Sequence, residues 1–384
     1  MTRSCNRPQH ALLLTGTLLL AAASPSQAAC SDPAGPNVDW FECDLADSDL
    51  QGKDLSGANL GMANLNNSNL NQAILTGATA TGTRFNGATL QGAILDNADL
   101  RWAELERADL SSASLLQTNL AQAKLRRAQF PGADLNGSNL AQADLRGTNF
   151  KQSILQNANL SAANLSAANL FQADLSHTNL GNSNLQDTNL IQTNIRQSNL
   201  AWANLNGANL SSSDLSDSNL AHSTLNQTVI KWANFSRSNL SDSQFSQSTL
   251  TATSMINSNL SRADLSNTIL RWVDFSGADL SHADLSDVDL AAEHAIKKTS
   301  FNGAILQQAR FDRSNLSGAD LRNADLTGAS MLQATLDNAD LSEATWHDGS
   351  VCSQPSMGQC ITEQKSLDVV IELQQDEQII DLIQ

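Results

Sequence analysis

Ala58-Asn59-Leu60-Gly61-Met62 and Ala133-Asp134-Leu135-Asn136-Gly137 are two settings of one five-residue phrase: a small residue, an Asp or Asn, a large apolar centre and two variable positions. Outward from Leu60 in steps of five, every residue from Leu45 to Leu290 is apolar, nearly always Leu or Phe, with Ala80 the only one that is not large. Two positions before the centres stand small residues, as at Ala63, Ser68, Ala163, Ala168, Thr178 and Ser213, with Lys53 the single charged exception. So long a period signals a repeat architecture. A period of five fits neither a helix (3.6) nor a flat strand (2.0), and either would spread the leucines over every face. The chain has to turn once per repeat.

If each pentapeptide makes one side of a square and four make a coil, all centres point inward and the small residues fill the remaining space. The A-(D/N)-L-x-x pattern over residues 43–346 resembles the pentapeptide repeat family. The resemblance implies an all-β fold, a right-handed quadrilateral β-helix whose coils stack through backbone hydrogen bonds; the alternation of small and large residues independently requires a narrow, filled interior. A second run of centres, Phe301 to Trp346, brings the expectation to about 15 coils and ~70 Å at the ~4.8 Å strand spacing. Leu290 to Phe301 is a step of eleven residues where two repeats take ten, so 291–300 is expected to hold one extra residue as a bulge or short loop. The expected division is a signal peptide (1–28), an N-terminal cap (29–42), the solenoid (43–290), this insert, the solenoid continued (301–346) and a C-terminal cap or association segment (347–384). The apolar-rich stretch from Ser366 to Ile383 suits either role in that last segment, since an open solenoid end exposes leucines and unpaired strand edges.

Arg3 and Arg7 precede an apolar run from Ala11 to Ala23, and Ser24-Pro25-Ser26-Gln27-Ala28-Ala29 offers small residues around a cut after Ala28, the pattern of a secretory signal. Thirteen helical residues reach only ~20 Å against a hydrocarbon core of ~30 Å, so no transmembrane segment is expected in the mature chain. The chain of 384 residues carries 22 Lys+Arg and 39 Asp+Glu, a net charge of −17, with 4% aromatics and no Tyr. A nucleic-acid partner gripped by a basic surface is therefore not expected. Loss of the signal removes Cys5 and leaves Cys30, Cys43, Cys352 and Cys360. Three pairings are possible; a long rod between the ends favours Cys30 with Cys43 and Cys352 with Cys360 in an oxidising compartment. Free thiols are one alternative, and lipidation of Cys30 another, which Gln27 disfavours because such signals prefer an aliphatic residue there.

With twenty residues per coil, residues twenty apart lie one above another. Asn119, Asn139, Asn159, Asn179, Asn199, Asn219, Asn239 and Asn259 form a ladder of amides expected to serve the scaffold. Trp202, His222, Asp242, Arg262 and His282 form a column unlike the rest, in which Asp242 can pair with Arg262 and Trp202 offers an aromatic face to a partner. Random surface variation is the bland alternative. Trp232 and Trp272 stand two coils apart on the opposite face. Arg107, Lys124, Arg126, Arg127 and Arg146 make a basic cluster suited to an acidic partner or anionic polymer, unless Glu104, Glu106 and Asp144 neutralise it.

No catalytic residue, metal site or cofactor is expected. Asp47-Ser48-Asp49-Leu50-Gln51-Gly52 opens like an EF-hand, but Ala58 stands where the twelfth-position glutamate is needed. HExxH, GxSxG, P-loop and dinucleotide-binding signatures are absent, and His222 and His282 lie ~14 Å apart, too far for one metal. The leading expectation is a non-enzymatic exported scaffold for a protein or envelope component whose identity the sequence does not encode, with self-association through the C-terminal segment as a further option. The alternative follows from the resemblance: some pentapeptide repeat proteins look like duplex DNA and occupy DNA gyrase, a role that a signal peptide disfavours.

Overall fold

The computed structural model describes residues 30–290 and 298–362. One repeat shows why the chain coils. In Asn59–Ala63 each of the five backbone N–H groups has its own acceptor. Asn59 donates down to Val38 O (2.9 Å), Leu60 up to Thr79 O (2.7 Å), Met62 up to Thr81 O (3.0 Å), and Ala63 closes the corner on Leu60 O (3.0 Å). The fifth, on Gly61, donates to Oδ1 of Asn59 (3.3 Å). Where Asp or Asn precedes the centre it can thus supply the acceptor that the corner lacks; behind Arg84, Asn86 N–H bonds Asn66 Oδ1 one coil below instead (2.9 Å). The second corner residue takes a left-handed φ, 57° at Met62 and 63° at Trp202. That conformation disfavours residues with a Cβ, and here the inter-coil bond of its N–H offsets the cost.

Repetition of this unit stacks parallel bridges twenty residues apart, from Asp39↔Asn59 to Ile269↔Asp289, and builds the expected quadrilateral β-helix. Centres such as Leu60, Phe130 and Leu200 are fully buried, with Ala58, Ala128 and Ser198 beside them. Phe130 stacks on Phe150 at 4.9 Å. Buried hydroxyls donate to carbonyls, as from Ser68 to Leu65 O and from Thr83 to Leu60 O (2.6 Å each). Lys53 turns outward and stays exposed. At one corner the extended backbone lengthens into three paired strands, β1 (Val229–Lys231), β2 (Thr249–Thr251) and β3 (Ile269–Arg271), parallel and in the order β1-β2-β3.

The expectation of a single extra residue in 291–300 is wrong. Asp274 pairs with Ser300, Asp279 with Ile305 and Asp289 with Asn315, each 26 residues apart instead of twenty. Phe301 stacks on Phe275 at 5.0 Å. Leu290 and Phe301 are consecutive centres, so the coil carries six extra residues between them and no centre falls in that stretch. The sequence spacing misled because eleven lies close to two periods of five. Residues 291–297 lie outside the described part.

The repeat register also begins earlier than Cys43. Trp40 is buried as a centre, its N–H donating to Asn59 O (2.8 Å), and Asn37 already bonds Ser56 O (2.8 Å). Cys30 and Cys43 are at disulfide distance (2.03 Å) across this first turn. At the other end the chain reverses. Val351 and Met357 bridge antiparallel to Thr345 and Asp340, and Cys352, buried, joins Cys360. Residues 347–362 therefore cover the last coil at residues 339–346. The expected signal peptide and the apolar segment 366–383 lie outside the described residues.

Candidate interaction surfaces

All the candidate column and basic-cluster side chains except Lys124 sit at corners, where the two variable residues of each repeat lie; Lys124 precedes the centre Leu125, and its backbone bridges Glu104 and Asp144. Trp202 and His222 stack with ring centroids 4.1 Å apart and planes 14° from parallel. His222 Nδ1 lies 3.9 Å from Asp242 Oδ2. Arg262 grips Asp242 through Nε and Nη2 at 2.7 and 2.6 Å. This bidentate bond holds the Asp242 carboxyl below the usual carboxylate range, His222 adding a smaller pull. Four of the five column residues therefore touch in sequence; His282 has no hydrogen bond or ion pair to Arg262, although its backbone continues the stack through Gln307 O (2.9 Å). The same Arg–Asp grip recurs at Arg237–Asp217 and Arg313–Asp287, so the pair alone is scaffold chemistry.

The aromatic end of the column is distinctive. Trp202 is 60% exposed, and Trp102, exactly five coils below it in register, is 50% exposed, with Met62 on the same edge. Arg101 lies over the Trp102 ring at 5.4 Å and pairs with Asp99 at 2.6 Å. Trp102 was not among the sequence-derived candidates, although stepping by twenty from Trp202 reaches it. The two indoles stand ~24 Å apart at the strand spacing. On the opposite edge Trp232 and Trp272 line one shallow recess with Lys231, Thr251 and Arg271.

The basic cluster divides in two. Lys124 is tied to Glu104 (2.8 Å) and Arg146 to Asp144 (2.5 Å). Both carboxyls are held low by these bonds. Arg107, Arg126 and Arg127 form no such pair and, with Glu106, line a recess of about 140 Å³. Among the described residues, no three or more of His, Cys, Asp and Glu gather to hold a metal ion, and no helix is long and apolar enough to cross a membrane.

The family model for pentapeptide repeats matches residues 41–77, 63–101, 103–142, 133–172, 143–182, 173–211 and 304–343, and a pentapeptide repeat region matches 229–295. This chain belongs to the pentapeptide repeat family. Neither matching description names a catalytic activity. No curated protein sequence matches this pentapeptide repeat protein. Among solved structures it is similar to HetL, a pentapeptide repeat protein involved in heterocyst differentiation regulation in the cyanobacterium Nostoc sp. (27% identity, 71% of this chain and 91% of that one, TM-score 0.29). It is also similar to a pentapeptide repeat protein of the Arabidopsis thaliana thylakoid lumen (33% identity, 24% and 64% of the two chains, TM-score 0.24). A third is QnrB1, a plasmid-mediated fluoroquinolone resistance protein (15% identity, 52% and 84%, TM-score 0.30).

Proposed function

We propose that this pentapeptide repeat protein is an exported, non-enzymatic scaffold that docks a partner protein along the edge carrying Met62, Trp102, Trp202 and His222. The observation that carries this reading is the pair of exposed indoles, Trp102 and Trp202, in register on one edge of a rigid rod. Exposed Trp and Arg are the residue types that dominate binding energy at protein interfaces. A backbone fixed on every coil loses little freedom when it is engaged. Export is supported by the Arg3–Ala29 pattern and by two cystines, which persist in oxidising compartments. The gyrase-directed alternative gains no support from this surface, because Arg107, Arg126 and Arg127 interrupt its acidity.

Cross-linking in the native cells tests the proposal, comparing the wild-type chain with Trp102→Ala/Trp202→Ala. Alanine already occupies the same left-handed corner position at Ala162 and Ala167, so the double variant keeps the fold. Loss of a cross-linked protein is expected. If every cross-linked protein survives, the edge is ordinary surface and the reading fails.

A further inference from the structure

We propose that Arg107, Arg126 and Arg127 form a cradle for one tetrahedral oxyanion, a phosphate or sulfate, free or as the ester group of a larger molecule. Arg107 and Arg127 occupy the same left-handed corner on adjacent coils, with φ of 57° at both. The backbone locks their register: Arg107 N–H donates to Arg126 O and Arg127 N–H to Arg146 O, both at 3.0 Å. Two guanidiniums are thus held at one coil spacing, ~4.8 Å at the backbone, and Arg126 adds a third from the neighbouring corner position.

Stacked like charges repel, and the fold offers these three no carboxylate within 4.0 Å. Elsewhere the chain handles the same situation by pairing, as Arg237 with Asp217 and Arg262 with Asp242 show. An anion seated among three guanidinium forks meets donors that match its oxygens two at a time. The recess of about 140 Å³ has room for such a group. The footprint also limits the ligand. The next cation up the rod, Arg146, is committed to Asp144, and Gly87 and Gly147 flank the Arg107–Arg127 pair in their own column. A long polyanion would find no further unpaired cation along that line, whereas a single oxyanion is served by two coils. On a chain of net charge −17 this cationic island is also where an approaching anion is steered. Glu106 lines the same recess, so its carboxylate weakens the site it helps to shape.

Titration calorimetry on the full mature chain at low ionic strength tests the cradle, with inorganic phosphate, inorganic sulfate and phenyl phosphate as probes. Saturable binding is expected, weakened at least about tenfold in Arg126→Gln/Arg127→Gln, as befits lost charge-assisted bonds, and strengthened in Glu106→Gln. Glutamine already serves these corner positions at Gln91, Gln156, Gln122 and Gln142, so the variants fold. Tighter binding of phenyl phosphate than of inorganic phosphate identifies an ester group as the source, and equal binding a free oxyanion. Absence of saturable binding, or binding that persists in the double variant, overturns the proposal.

Discussion

The N–H that follows each centre finds its acceptor on a side chain in two ways: on the Asp or Asn before the centre, as Gly61 does on Asn59, or, where another residue stands there, on the corner residue one coil below, as Asn86 does on Asn66 Oδ1 (2.9 Å) behind Arg84. The first arrangement accounts for the frequency of Asp and Asn at this position. The small position two before the centre obeys a different constraint, because it is buried and tolerates a hydroxyl only if the hydroxyl finds a carbonyl. Ser213 does, donating to Leu210 O at 2.6 Å; Ser138 and Ser183 Oγ have no partner. Opposite outcomes follow for the same substitution. Ser138→Ala is expected to raise the unfolding free energy by about 1 kcal/mol, and Ser213→Ala to lower it by a similar amount. Thermal unfolding followed by circular dichroism gives both signs. At a corner, Gly207 has φ 71° and sits so close to Asp187 Oδ1 that a Cβ would collide with it.

A coil is the element here, and its length is fixed by four sides of five residues. Among the described residues this register shifts only at the step from Leu290 to Phe301, which carries six additional residues before the stack resumes with Phe301 on Phe275. Extra chain at a corner costs only the slow logarithm of loop closure, whereas a short side breaks every bond of its register. Deleting residues 291–296 is therefore expected to leave the far-ultraviolet spectrum and melting temperature close to wild type. Deleting seven residues, 291–297, leaves four where the side needs five, and is expected to detach the coils beyond Phe301 as a separate early transition. The Asn ladder is bonded at every step from Asn119 to Asn239, with Asn139 donating to Asn119 (3.1 Å) and Asn219 to Asn199 (3.2 Å). It ties coil to coil and leaves recognition to the corners.

At the scale of the molecule, stability is close to a sum over coils and their interfaces, so the ends are the weak points. Cys30–Cys43 and Cys352–Cys360 each close a short loop there. Ion pairs within and between coils add a pH dependence. Hydrogen bonds from Arg146, Arg237, Arg262 and Arg313 hold Asp144, Asp217, Asp242 and Asp287 below the carboxylate value of 3.8. Groups lowered by folding contribute stability above the unfolded value and lose it as pH falls through the folded one. The melting temperature should hold steady at neutral and mildly acidic pH and drop once these carboxyls protonate, below about pH 4. Arg262→Gln should flatten that acid limb slightly. An acid limb unchanged in that variant would remove the pair from the ledger.

The period of five, by itself, determined that the chain turns once per repeat, that the interior is filled and which residues face inward, because neither a helix nor a flat strand buries a centre every fifth residue; the four-sided coil came from the resemblance to pentapeptide repeats. Stepping by twenty also made the Trp202–Arg262 column and the pairing of Asp242 with Arg262 legible before any coordinates, since stacked coils convert sequence distance into contact. Only the tertiary structure decided the six-residue register step, for spacing alone does not say whether eleven residues span one side or two. It alone separated Arg107, Arg126 and Arg127 from Lys124 and Arg146, because neutralisation depends on which carboxylate a flexible side chain reaches around a corner. It also brought Trp102 into view through its exposure, which composition at a corner position does not reveal.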